Sequence, residues 1–149
     1  MSEQKKPPFL WAIIGIIPII IMAIIILGLH TGLYNYAGWS LDEEYFLLMS
    51  ILTGLGIVLP VILLAINLVG FFLYEKLESF TSLIGLGTAI INGILIIACI
   101  GFSIYTFYKG ADNPPDEFAF FLIEGVLMII AACIAGFNTY FGIKIMKWK

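Results

Sequence analysis

Between Phe9 and Gly142 the chain contains four long runs almost free of charge, spanning residues 9–29, 46–74, 83–107 and 118–142. The first three hold no Asp, Glu, Lys or Arg, and the fourth holds only Glu124. A helix needs roughly 20 apolar residues to cross a hydrocarbon layer about 30 Å thick, and each run meets that length. With 62% hydrophobic and 11% charged residues, a soluble domain would lack the polar surface to cover itself. The reading is one integral membrane domain over residues 1–149, an all-α membrane protein. Its fold class is a four-helix transmembrane bundle, up-down-up-down.

The lysines set the expected orientation. Lys5, Lys6, Lys76, Lys144, Lys147 and Lys149 fall on one side of such a bundle, and only Lys109 falls on the other. By the positive-inside rule both termini are expected to be cytoplasmic. Asp42, Glu43, Glu44, Asp112, Asp116 and Glu117 make the opposite face acidic. The first run is too long for the apolar core of a cleaved signal, and LGLHTG lacks a small-residue cleavage pattern, so it reads as an uncleaved anchor. The location expected is the cell membrane, with multiple passes.

Punctuation between the runs is sparse. Pro7–Pro8 suits the entry to a first helix. Ser40 and Glu43 have capping-box spacing, which would open the second helix near Leu41. Asn113-Pro114-Pro115 signals a turn, with Asp116 and Glu117 at the start of the fourth helix. The short connection YEKLESFTS predicts antiparallel packing of the second and third helices. Tyr34, Tyr36, Trp39 and Tyr45 at one edge, and Phe9, Trp11 and Trp148 at the other, suit headgroup-level aromatic belts. The GLYNYAGW stretch could also meet a partner. Pro18 and Pro60 predict kinks, with hinges as the alternative.

Helices associate in lipid through small side chains and interhelical polar bonds. Residues sharing a face at helical spacing therefore mark the expected interior. The fourth helix offers Glu124, Met128, Ala131, Ala135, Asn138 and Gly142. The third offers Gly85, Ala89, Asn92, Ile96, Cys99, Ser103 and Thr106. The second offers Thr53, Gly56, Pro60, Asn67 and Tyr74, with Gly70 beside them, and the first only Ile19, Ala23 and His30. Asn67, Asn92 and Asn138 are expected at one depth, as an interhelical polar cluster or as the floor of a pocket. Cys99 and Cys133 are expected at different depths, unbridged, as small buried fillers.

Glu124 is the candidate intramembrane site. It lies about six residues into its helix, roughly 9 Å deep. An ionisable residue in a span invites a named partner, and the candidate is His30, the single histidine. Such a pair could pass protons or bind a cation. The other readings are a neutral, hydrogen-bonded structural acid and a contact with a partner subunit.

The tetraspan layout with an aromatic first loop resembles claudin-like and MARVEL-type proteins. GLYNYAGW lacks the claudin cysteine pair, so no residue roles carry over. Small multidrug transporters also pair four spans with one membrane glutamate, but in the first helix rather than the fourth. No H-E-x-x-H, C-x-x-C or phosphate-binding glycine loop is present, so no catalytic residue, cofactor or metal site is expected and the chain reads as non-enzymatic. The lack of arginine argues against nucleic acid. Partners expected are the lipid bilayer and either another membrane protein or copies of this chain, in a scaffold or accessory role. A small proton- or cation-coupled transporter or channel using Glu124 is the alternative.

Overall fold

The computed structural model describes residues 7–37, 43–111 and 115–148, with the side chains of residues 30, 33–37, 43–46 and 115–117 excepted. Four helices make up nearly all of it: α1 (Phe9–Ala37), α2 (Glu43–Phe72), α3 (Thr81–Ala111) and α4 (Pro115–Met146). All four are long and apolar enough to cross a membrane. At 29 to 32 residues and 1.5 Å per residue, each is about 44–48 Å long. That exceeds the hydrocarbon core and matches a bilayer with its headgroups.

Several boundaries differ from the sequence reading. α1 runs to Ala37 instead of stopping near Leu29, so most of the GLYNYAGW stretch is helical rather than loop. Gly28 and Gly32 looked like punctuation, but a helix tolerates isolated glycine at a cost of only about 1 kcal/mol. α2 begins at Glu43, and the Ser40–Glu43 cap lies outside the described residues. Pro115 opens α4, where its missing N–H costs nothing. Pro18 and Pro60 lie inside their helices, which continue through them. Between α2 and α3 the chain turns through Lys76 N–H to Leu73 O (3.0 Å) and Phe80 N–H to Leu77 O (2.9 Å), with a short 3-10 turn at Glu78–Phe80.

The surface and interior are inverted relative to a soluble protein. Ile97 is 75% exposed, Ile104 66% and Leu83 63%, while Asn67, Thr88, Thr106, Glu124 and Asn138 are each 0% exposed. Polar atoms inside and aliphatic side chains outside suit hydrocarbon surroundings. The four helices form a ring of neighbours: α1 with α2, α2 with α3, α3 with α4, and α4 with α1. Phe9, Tyr74 and Ile145 cluster at one end, and Ile26, Met49, Phe121 and Met128 cluster toward the other.

The four seams are unequal. α3 and α4 pack most intimately, because glycine brings their backbones together. A Cβ on Gly142 would lie 2.7 Å from the Ala89 backbone nitrogen, and one on Gly85 would meet the Met146 nitrogen and lie 2.6 Å from the Gly142 carbonyl. The α2–α3 seam is the sparsest, and its connection, residues 73–80, is the longest of the three. Adjacency in sequence makes helices neighbours; it does not supply the small residues that let backbones close. α1 presents a fuller inward face than Ile19 and Ala23 alone, since Phe9, Ala12, Ile16 and Ile26 are also buried. Cys99 and Cys133 are both free thiols, as expected. Cys133, however, faces outward, which corrects its reading as a buried filler.

Candidate functional site

Three layers of different chemistry stack along the bundle interior. The first contains the asparagines. Asn67 Nδ2 donates to Leu63 O on its own helix (2.9 Å) and to Thr88 Oγ1 on α3 (3.1 Å). Thr88 in turn donates to Ile84 O (2.9 Å), and Asn92 Nδ2 donates to Thr88 O (2.8 Å). These back-bonds fix the amide orientations. Were either amide flipped, its oxygen would face a backbone carbonyl oxygen.

Asn138 approaches from α4 and packs its carboxamide into the notch left by Gly15 of α1, where any Cβ would collide with Oδ1. The Oδ1 atoms of Asn67 and Asn92, and both polar atoms of Asn138, have no hydrogen-bond partner within the protein. A buried amide group left unmet costs about 1–3 kcal/mol. The structure thus buries all three asparagines, bonds Asn67 to α3 through Thr88, and forms no direct Asn–Asn bond. Thr88 was missed in the sequence. Its signal was positional, one turn before Asn92 and two turns after the buried Thr81.

The Asn67–Thr88 bond crosses the sparse α2–α3 seam. Replacing Asn67 by Leu, or Thr88 by Val, is expected to destabilise the bundle by about 0.6–1.7 kcal/mol. The double variant should cost little more than either alone. Steric-trapping measurements in bilayers, arranged as a double-mutant cycle, check this; fully additive losses would mean the two residues act separately.

The second layer is apolar. Ile19 and Leu95 pack with Ala135 across three helices. Beside them lies a cavity of about 40 Å³ whose wall includes Ala23, Thr53, Cys99 and Ala131. Its volume could accept about three waters. The wall gives them little to bond: the Thr53 hydroxyl proton is already directed to Met49 O (2.9 Å) or Ser50 O (3.1 Å). This layer separates the two polar ones.

The third layer holds Glu124, fully buried on α4 between Phe121 and Met128 of the same helix face. Nearby, Ser103 donates to Gly125 O (3.0 Å), and the Thr106 hydroxyl reaches Met49 Sδ (3.9 Å). Burial turns Glu124 into the protein, away from lipid and from any lateral neighbour. The turn of α1 carrying His30 follows Ile26, which clusters with Phe121 and Met128. The His30 side chain lies outside the described residues, and so does the proposed Glu124–His30 pairing. Among the described residues no group of three or more His, Cys, Asp or Glu side chains could hold a metal.

Fold and site together define a small all-helical protein with a multi-pass membrane architecture and a layered polar–apolar–polar interior. No family model matches the chain, and no curated protein or solved structure is significantly similar to it.

Proposed function

We propose that this chain is a non-enzymatic tetraspan membrane protein, acting as a scaffold or accessory subunit through lateral helix packing. It lies up-down-up-down in the cell membrane with both termini in the cytoplasm, following its lysine distribution. The observation that carries this reading is the apolar layer around Ile19, Leu95 and Ala135. Hydrophobic constrictions close pores to ions, and this one stands between Glu124 and the asparagines. The broad aliphatic exterior, including Ile97 and Ile104, is the surface left for lipid and for partner helices. Nucleic acid has no role in this reading.

A transporter that couples flux to Glu124 is the second reading, favoured by the complete burial of that acid. Purified protein in sealed vesicles separates the two. The scaffold reading expects no flux above protein-free vesicles under proton, sodium or potassium gradients, and no difference between wild type and Glu124→Gln. Flux that the wild type supports and Glu124→Gln abolishes would reverse the assignment.

A further inference from the structure

The asparagine layer carries hydrogen-bonding capacity that the helices do not use. Three carbonyl oxygens (Asn67, Asn92 and Asn138) and the Asn138 amide nitrogen are buried and unmet by protein. All three side chains are 1% exposed or less. They share one level of the bundle. Asn92 and Asn138 each lie one turn from Leu95 and Ala135, which pack together with Ile19. Asn67 is tied to that level through Thr88, and Gly15, against which Asn138 rests, lies one turn before Ile19.

We propose that this layer is a binding site for a small neutral molecule that both donates and accepts hydrogen bonds, and that in the membrane this molecule is water. The chemistry of the unmet groups selects among ligands. A cation would satisfy the oxygens but oppose the Asn138 N–H groups. Its charge would also be uncompensated, since Glu124 is 14 residues along α4 from Asn138, about 21 Å away. An anion would face three carbonyl oxygens. Water complements both kinds of group, and at about three hydrogen bonds per buried water, two molecules suffice. The back-bonds to Leu63 and Thr88 aim the Asn67 and Asn92 oxygens before any guest arrives. The apolar layer of Ile19, Leu95 and Ala135 bounds the site on one side.

Water-edited solid-state NMR on the isotope-labelled full chain, in vesicles of deuterated phosphatidylcholine, tests this. The expected result is water cross-peaks on the side-chain amides of Asn92 and Asn138, and none on the methyl groups of Ile19 or Ala131. Asn138→Leu should remove the Asn92 cross-peak while the helical chemical shifts persist. If that variant does not fold, Asn92→Leu read at the Asn138 amide serves the same purpose. Dry amides bonded directly to one another would overturn the proposal. Amide shifts that respond to rubidium or thallium would replace water by a cation. Water reaching the Ile19 and Ala131 methyls would replace the discrete site by a continuous path and overturn it equally.

Discussion

Replacing Gly142 by Val is expected to destabilise the bundle by about 3 kcal/mol, the upper part of the range for overpacking. The reason is the identity of the atoms a side chain would meet. A Cβ there would lie 2.7 Å from the Ala89 nitrogen, 3.0 Å from its Cα and 3.1 Å from the Gly85 carbonyl oxygen. All three are backbone atoms, so no rotamer change relieves the contact, and α3 and α4 must separate. In hydrocarbon that separation has no hydrophobic penalty to oppose it, because lipid solvates the exposed side chains as well as protein does. What is lost is van der Waals packing along the most intimate seam. Gly93→Ala and Gly101→Ala are the controls, since nothing lies within 4 Å of a Cβ at either position. Both should be neutral or slightly stabilising, because alanine is the better helix former. Reversible unfolding in bilayers, followed by steric trapping, measures the whole series.

The second large effect is expected at Glu124, and it depends on the charge introduced. Glu124→Lys should cost about 3 kcal/mol, close to the insertion penalty of a lysine in a span. The residue is completely enclosed, flanked on its helix face by Phe121 and Met128, so a longer ammonium-bearing chain has no short route to water. Glu124→Gln keeps the shape and hydrogen-bonding reach while removing the option of charge, and should change stability by less than about 1 kcal/mol. Equal losses from the two substitutions would mean that the carboxylate itself, not the shape of its enclosure, holds that layer together.

How much of this was legible in the sequence varied by helix, for physical reasons. Runs almost free of charge marked all four spans, because the cost of charge in hydrocarbon is severe enough to leave a plain record. On α4 the buried face was readable from Glu124 through Asn138, since small and polar residues stand out against Ile, Leu and Phe. On α1 almost every residue is aliphatic, so the inward positions of Ile16 and Ile26 carried no contrast with the exposed Ile17 and Ile24. The extension of α1 to Ala37 was hidden by Gly28 and Gly32, and the outward turn of Cys133 by its resemblance to other small interior residues. Thr88 was passed over because the face was drawn through Ala89, one residue away. Neither the weakness of the α2–α3 seam nor the apolar layer could be read locally. Both arise from which residues of several helices meet at one depth.

The bundle is proposed to work by lateral association while its apolar layer keeps it closed. Native mass spectrometry of protein released directly from its own membranes tests it most directly. The expected result is a discrete assembly of fixed stoichiometry, with a second copy of this chain or another helical membrane protein, preserved in Glu124→Gln. A chain released only as a bare monomer, across mild detergents and lipid nanodiscs alike, would contradict it.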